Sequence, residues 1–337
     1  MAKERIVVIC PGRGSYSRET SGYLKEFKHS GINEVEWMDQ NRTRGGLPSI
    51  TDLDSKPFKS NLHMRGEHAA PLIYACSLVD FISIDQDKYE IVAITGNSMG
   101  WYIALALGGA LSKKKSYHLI STMGSMMKEK IIGSQIIYPI IDENWQINLE
   151  KKSIVEALIN KANAYISIIL GGYYVIGGSQ KAINILLEEL PTDEKYPFQL
   201  PFHAAFHTPL LETISEKAID QLPLEIFKKP DIPLVDGRGH IWSPYSTNVA
   251  ELWDYTLRDQ VTNTFDFSSS ISVALKEFCP DKLVLLGPGN SLGGVIGQII
   301  IQNKWKGVSS KKEFSVIQGK NPFLISLGLK DQRKIIC

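Results

Sequence analysis

Ser98 lies in the segment Gly96-Asn97-Ser98-Met99-Gly100, between the apolar run Ile91–Ile94 and the apolar segment Trp101–Leu107. This order predicts a buried strand, a sharp turn with the serine at its tip, and a helix. Small residues on both sides of the serine permit a tight turn, and the amide of Met99 would then face the oxygen of a reacting carbonyl. The pattern favours a nucleophilic serine over a structural turn.

A serine is a weak nucleophile and needs a base. His207 lies in the segment Phe202–Leu210, where the chain leaves a predicted inserted unit and returns to the main domain. The residues alone leave open whether His207 is the base or a hydrogen-bonded loop histidine. The other candidates are His29, His63, His68, His118, His203 and His240.

Composition excludes several classes of function. The 337 residues include 37 Lys plus Arg and 36 Asp plus Glu, a net charge of +1, which gives no support to nucleic-acid binding. Four widely spaced cysteines favour reduced thiols in a cytoplasmic protein and disfavour a zinc site. The start of the chain carries no signal-peptide pattern. The longest apolar run, Ala164–Gly177, is interrupted by two glycines and is too short to span a membrane.

Alternating strand and helix patterns predict an α/β fold. Arg5–Cys10 reads as a buried parallel strand, and Ala69–Ile84 has a helical period of apolar residues. From Gln135 to Pro201 the order β-α-β-β-α-β is typical of a ferredoxin-like unit. We therefore predict a large α/β domain with a parallel sheet (1–132 and 203–337) and an inserted smaller subdomain (133–202). The polar segment Lys25–Pro57 gives no confident element.

Taken in order, five motifs resemble those of the malonyl-CoA:acyl-carrier-protein transacylase family, which includes the acyltransferase domains of polyketide synthases. The resemblance runs from about Ile6 to about Gln298, and it implies an α/β-hydrolase-like domain with a ferredoxin-like insert. The residues after about Ser309 extend beyond the usual end of that family. The motifs are Pro11-Gly12-Arg13-Gly14-Ser15, Gly96-Asn97-Ser98-Met99-Gly100, Gly108-Gly109-Ala110-Leu111-Ser112, Ala205-Phe206-His207-Thr208-Pro209-Leu210 and Leu286-Gly287-Pro288-Gly289.

The resemblance implies a ping-pong acyl transfer between thioesters of CoA and an acyl carrier protein. Ser98 matches the family's nucleophile and His207 its base, and the amides of Met99 and Arg13 would hold the oxyanion. Asp266 falls in the stretch that orients the histidine. The resemblance also implies a monomer without a bound cofactor or metal, whose substrates are carried on CoA or phosphopantetheine.

The predicted substrate site departs from the family pattern. Met123 stands where malonyl-using members carry the arginine that binds the substrate carboxylate. Asn97 replaces a histidine and Trp101 an acidic residue, and Phe206 matches a bulky residue before the histidine in members that select unbranched acyl groups. A buried carboxylate without a cation loses several kcal/mol. We therefore expect an uncharged acyl group rather than malonyl.

The interpretation that follows is an acyltransferase of polyketide or fatty-acid biosynthesis. One alternative is a hydrolase on the same fold that removes acyl groups from carrier proteins, and another is malonyl transfer with Arg13 as the substitute cation. A third is an α/β-hydrolase esterase that uses His240 with Asp193 or Asp220. The last is a non-catalytic module that binds carrier proteins, which is disfavoured because both Ser98 and His207 are present.

Overall fold

The computed structural model describes residues 2–27 and 31–337, in which strands and helices alternate along most of the chain. The strands are β1 (Glu4–Cys10), β2 (Tyr89–Gly96), β3 (Ser134–Pro139), β4 (Tyr165–Leu170), β5 (Tyr173–Gly178), β6 (Phe198–Gln199), β7 (Leu234–Val235), β8 (Ile241–Trp242), β9 (Phe265–Asp266), β10 (Lys282–Leu285) and β11 (Leu324–Ser326).

Most of the helices are short. They are α1 (Tyr23–Phe27), α2 (Ile32–Arg44), α3 (Ile50–Ser55), α4 (Ser60–His63), α5 (Gly66–Ser83), α6 (Gly100–Leu107), α7 (Lys113–Ser125), α8 (Leu149–Lys161), α9 (Gln180–Glu189), α10 (Glu212–Gln221), α11 (Val249–Asp254), α12 (Gln260–Thr262), α13 (Phe267–Phe278), α14 (Gly293–Gln302), α15 (Lys311–Lys320) and α16 (Lys330–Ile336). Within the described residues, none of them has the length and apolar character needed to cross a membrane.

A six-stranded sheet forms the centre of the molecule, with strand order β11-β10-β1-β2-β7-β8. Its neighbours pair in parallel except β7 and β8, which are antiparallel. The residues Ile6–Cys10 of β1 are fully buried, as the apolar run predicts for a central strand covered on both faces. Cys10 pairs with Gly96, so the loops that follow β1 and β2 leave the sheet side by side. Ligands of such sheets bind at this carboxyl edge.

A second, five-stranded sheet has the order β6-β3-β5-β4-β9. The elements from β3 to β6 follow the predicted order β-α-β-β-α-β, and α8 and α9 enclose a separate apolar core with the sheet. Strand β9 pairs in parallel with β4, although residues 265 and 266 lie far outside the range 133–202. The small sheet is therefore completed by the large part of the chain, and the domain boundaries stay a prediction.

Two stretches are more ordered than the sequence predicts. The polar segment Lys25–Pro57 contains α2 and α3, whose few apolar residues, among them Val35, Met38 and Leu53, are buried. The residues after Ser309 form α15, β11 and α16, and β11 extends the large sheet beside β10. Sparse apolar positions in polar helices give a weak periodic signal, which explains why these elements were missed.

Candidate active site

The serine turn has the predicted strand–turn–helix geometry. Ser98 lies between β2 and α6 with φ 55°, in the left-handed region that a non-glycine residue rarely adopts. A Cβ atom on Gly96 would lie 2.2 Å from the carbonyl oxygen of Gly100, and one on Gly100 would lie 2.4 Å from that of Cys10. Both positions therefore require glycine, because the main chain of the turn folds back against itself and against β1.

The structure brings Ser98 and His207 together. The Nε2 atom of His207 lies 2.7 Å from the Oγ atom of Ser98, and Nδ1 lies 2.5 Å from the main-chain carbonyl oxygen of Gln260. Because a carbonyl can only accept, Nδ1 carries the proton and Nε2 is left to accept the serine proton. Burial lowers the pKa of His207 to about 4, which keeps the ring neutral at physiological pH. This is the protonation state that a general base needs.

Gln260 organises both partners. Its Nε2 donates to the carbonyl oxygen of Ser98 at 3.1 Å, and its Oε1 accepts the hydroxyl proton of Tyr102 at 2.6 Å. A π-helical turn, Tyr255–Asp259, ends directly before Gln260. Such turns insert one extra residue into a helix and recur at functional sites. No pattern in the sequence indicates this role, because any residue type can supply a main-chain carbonyl.

The prediction that Asp266 orients His207 is wrong. The carboxylate of Asp266 accepts the amide proton of Ser269 at 2.8 Å and the hydroxyl proton of Ser269 at 2.6 Å. Asp266 is therefore the N-cap of α13, a role that short acidic side chains commonly fill. The histidine is held by a carbonyl of Gln260 instead.

Two main-chain amides lie beside the serine. Within the described part of the chain, the amides of Arg13 and Met99 donate to no main-chain or side-chain acceptor. Met99 directly precedes α6, and Arg13 lies in the loop after β1, next to the elbow at the same sheet edge. Amides without acceptors at this edge have the chemistry required to stabilise an oxyanion.

The guanidinium of Arg13 is bound to the main chain. Its Nη2 donates to the carbonyl oxygens of Met64, at 2.7 Å, and Phe202, at 2.8 Å. The guanidinium carbon also lies 5.5 Å from the ring centroid of Phe206. Burial lowers the pKa of Arg13 to about 10, and nearby Glu67 opposes that effect. Arg13 stays charged at neutral pH and joins two separate segments of the chain across the site.

A largely apolar cavity of about 460 Å³ opens beside Ser98 and His207. Of the predicted substrate-site residues, Asn97, Met123 and Phe206 line it. Trp101 does not: its side chain is fully buried, packs against Tyr255 and donates to Thr256, so its predicted role is wrong. The sequence also missed several lining residues that the fold gathers from distant segments: Met64, Met126, Met127, Gln135, Ile168, Leu211, Ile214 and Gln260.

The remaining histidines do not compete for the base. His203 lines the cavity, and its Nδ1 lies 2.9 Å from the carbonyl oxygen of Pro201. Burial, and to a smaller extent the positive charge of Arg13, lowers the pKa of His203 to about 3. His240 packs against Trp242 in a separate surface cleft. Asp193, its expected partner in an esterase, forms an ion pair with Lys151. His29 lies outside the described residues.

A neutral histidine that accepts from a serine on a strained elbow, beside two amides without acceptors in the described part of the chain, is the arrangement that acyl transfer through a serine requires. No protein-family model matches the chain. Its sequence is nevertheless 23% identical over 223 residues to the malonyl CoA-acyl carrier protein transacylase of Bacillus subtilis (strain 168), which covers 63% of this chain and 68% of that protein. A non-reducing polyketide synthase of Pseudevernia furfuracea is 31% identical over 240 residues, 66% of this chain and 10% of the synthase.

Solved structures share the fold over nearly the whole chain. The malonyl-CoA:acyl carrier protein transacylase of Xanthomonas oryzae pv. oryzae superposes with a TM-score of 0.76 at 18% identity, covering 99% of this chain and 98% of that one. The acyl-carrier-protein-S-malonyltransferase of Bartonella henselae gives a TM-score of 0.76 at 19% identity, with 98% and 97% covered. The residues after Ser309 therefore lie within the shared fold, and the expectation that they extend beyond it is wrong.

The comparisons confirm the predicted relationship to malonyl transacylases and polyketide synthases, the α/β fold class, and an enzyme of the acyltransferase class. The chain spans 16% of the length of the Trichophyton tonsurans polyketide synthase that it matches.

Proposed function

We propose that this protein transfers an acyl group between thioesters of CoA and an acyl carrier protein, through an ester on Ser98. The observation that carries the proposal is the 2.7 Å contact between the Oγ atom of Ser98 and Nε2 of His207. The names of its relatives, an acyl carrier protein transacylase and polyketide synthases, supply the carrier protein, CoA and a biosynthetic role in polyketide or fatty-acid assembly.

The mechanism has two symmetrical halves. The Oγ atom of Ser98 attacks the thioester carbonyl carbon while Nε2 of His207 takes the hydroxyl proton, and the amides of Arg13 and Met99 stabilise the oxyanion. The carbon–sulfur bond then breaks, and the histidine returns the proton to the departing thiolate. A second thiol, deprotonated by the same histidine, attacks the acyl-serine; the bond between the acyl carbon and Oγ breaks, and the histidine returns the proton to Oγ of Ser98.

The acyl group that we propose is uncharged. Met123, which occupies the position of the family's carboxylate-binding arginine, lines the cavity with a thioether. Arg13 is a less suitable substitute, because its Nη2 is already bonded to the carbonyl oxygens of Met64 and Phe202 and a carboxylate would have to bind through its other nitrogens, of which Nε is buried. An uncompensated carboxylate in this cavity would lose its hydration without a matching ion pair.

The test is to incubate the protein with a panel of acyl-CoAs and holo acyl carrier protein and to record intact masses of enzyme and carrier. If the protein transfers acyl groups, an acyl adduct on Ser98 should form first and the acylated carrier protein should follow. Release of free acid without carrier acylation would identify the hydrolase instead. A malonyl adduct formed faster than uncharged adducts would overturn the proposed acyl group.

Two variants test the assigned residues. Ser98→Ala should form no adduct, and labelling equal to that of the wild type would refute the nucleophile. His207→Ala should slow acylation by a factor of roughly a thousand or more, as expected when a general base is lost. His240→Ala is the matched control, because that histidine lies in a separate cleft.

A further inference from the structure

One wall of the cavity is made of methionines. Five of the chain's seven methionines line the cavity. Three of them, Met123, Met126 and Met127, lie at the end of α7 and just after it, and we call these three the methionine wall. They pack against Leu211, Ile214 and Val261, which are buried and line the same cavity.

The methionine wall is continuous with the catalytic pair. Val261 directly follows Gln260, whose carbonyl holds His207, and Phe206 directly precedes the histidine and packs in the same apolar cluster. Ser98 and His207 themselves line the cavity. A group joined to the serine oxygen therefore has apolar surface within reach.

The cavity offers little to a charged group. Among the described residues that line it, Arg13 is the one side chain with a formal charge, and its Nη2 is occupied by two carbonyls. The two lining histidines are neutral at physiological pH, because burial lowers the pKa of His203 to about 3 and that of His207 to about 4. An apolar ligand can bind in such surroundings without the cost of removing a charge from water.

The helix that carries Met123 packs closely against its neighbour, while the methionine side chains can adapt. Helix α7 touches α5 where Gly124 meets Gly66: a Cβ on Gly66 would lie 2.2 Å from the carbonyl oxygen of Gly124. Methionine has three rotatable bonds and a polarizable sulfur, so it fits itself to flexible apolar ligands. A closely packed helix end with adaptable side chains suits a straight alkyl chain.

We infer that the methionine wall binds a straight aliphatic acyl chain of more than four carbons, carried on the thioester that Ser98 attacks. This inference rests on the proposed function, since the serine ester is what places the chain in the cavity. Burial of each methylene contributes a factor of about four in binding. The four methylenes between butanoyl and octanoyl then give a gain of roughly two-hundredfold.

The first experiment measures kcat/KM for acylation of wild-type protein by acetyl-, butanoyl-, octanoyl-, dodecanoyl- and malonyl-CoA, from the intact mass of the enzyme. We expect octanoyl to exceed butanoyl by roughly two-hundredfold and malonyl to be slower than both. Equal rates along the series, or faster malonyl loading, would overturn the inference.

The second experiment fills the methionine wall. Met126→Trp should lower the ratio of octanoyl to acetyl kcat/KM at least tenfold, and Met126→Ala, which removes the contact without adding bulk, should lower it several-fold. Val316→Trp, on the exposed side of α15, is the control for the added indole and should keep the wild-type ratio. An unchanged ratio in a folded Met126 variant would refute the assignment.

The third experiment separates this inference from the proposed function. Ser98→Ala cannot be acylated, so calorimetry can compare its Kd for two unreactive thioethers, ethyl-CoA and octyl-CoA. Tighter octyl-CoA binding without any adduct on the wild-type protein would retain the methionine wall and reject acyl transfer. Adducts with no dependence on chain length would reject the methionine wall and retain acyl transfer.

Discussion

The main-chain carbonyl oxygen of Gln260 lies 2.5 Å from Nδ1 of His207. The side chain of the same residue donates to the carbonyl oxygen of Ser98 at 3.1 Å. One residue therefore fixes the tautomer of the base and the main chain of the nucleophile. The histidine needs no carboxylate partner, because a carbonyl is sufficient to hold the proton on Nδ1.

Gln260→Ala should lower the acylation rate roughly tenfold to a hundredfold, because small misplacements of reacting groups have effects of that size. The carbonyl that holds His207 remains in this variant, but the contacts to Ser98 and Tyr102 are lost. Single-turnover acylation followed by mass spectrometry measures the effect. Tyr102→Phe, which removes one of those contacts, should show a smaller decrease. If Gln260→Ala leaves the acylation rate unchanged, the turn around Ser98 is sufficient to position the serine without the contact from Gln260.

The acylation rate should stay nearly constant from pH 8 to pH 5 and decline only near pH 4. An ordinary histidine becomes protonated below about pH 6.5, but burial lowers the pKa of His207 to about 4 and keeps Nε2 free. Single-turnover acylation is the measurement, because it excludes titration of the acceptor thiol. An inflection near pH 6.5 would contradict this expectation.

The lowered pKa of His207 also makes the stability of the protein depend on pH. Between pH 4 and pH 6.5 the unfolded chain binds a proton at His207 that the folded protein does not, so the free energy of unfolding decreases as pH falls through this range. His203, whose pKa burial lowers to about 3, acts in the same direction. Urea titrations at pH 7 and pH 5 should therefore show lower stability at pH 5, a decrease to which both histidines contribute.

Arg13→Gln should shift the acyl-enzyme from transfer towards hydrolysis by roughly several-fold. The guanidinium joins Met64 to Phe202 beside the catalytic pair, and its loss opens the site to water, which competes with the acceptor thiol. The ratio of free acid to acylated carrier measures the partition. Arg65→Gln is the control, since Arg65 is half-exposed and pairs with Glu67. Slower acylation at an unchanged ratio would place the role of Arg13 in the oxyanion loop instead.

Met123→Arg should increase malonyl loading of Ser98 by roughly tenfold or more. The substitution places a cation in the cavity, and charge-assisted pairing of arginine with a carboxylate contributes about 1.5–3 kcal/mol. Met123→Leu keeps the volume without the charge and should gain nothing. No gain in a folded arginine variant would show that the cavity cannot accommodate the carboxylate at this position.

Arg333→Met should lower the free energy of unfolding by roughly 3–5 kcal/mol, because it leaves the buried carboxylate of Asp80 without its cation. Arg333 forms an ion pair with Asp80, which also accepts from Tyr23 and from the amide of Gly287. Urea unfolding measures the loss. Lys334→Met, one residue further along α16 and largely exposed, should change stability by less than about 0.5 kcal/mol.

The loss in the free energy of unfolding caused by Arg333→Met should become smaller at low pH. Burial already raises the pKa of Asp80, and Arg333 is the largest influence that lowers it. Without the arginine the carboxyl becomes easier to protonate in the folded protein, and a neutral carboxyl no longer needs a cation. A deficit that is equal at pH 5 and pH 8 would contradict the account of a buried, uncompensated charge.

The sequence by itself determined the α/β class, the order of elements in the small sheet and the elbow at Ser98. Each of these has a local signature, either a periodic run of apolar residues or a motif whose glycines the turn requires. His207 was singled out among the histidines only by the resemblance to a known family. The loss of the carboxylate-binding arginine could also be predicted from the sequence, because Met123 stands at the position where the family pattern has that arginine. Local patterns are where a single sequence carries its information.

Only the tertiary structure decided what holds His207 and what encloses the substrate cavity. The carbonyl that holds His207 belongs to Gln260 and not to the predicted Asp266, since any residue can supply a carbonyl and the carboxylate of Asp266 is engaged as a helix cap. Trp101 points into the core because it lies one residue beyond the start of α6, on the buried side of that helix. The methionine wall packs against Leu211, Ile214 and Val261, which lie about 80 to 140 residues further along the chain, and tertiary packing alone brings them together.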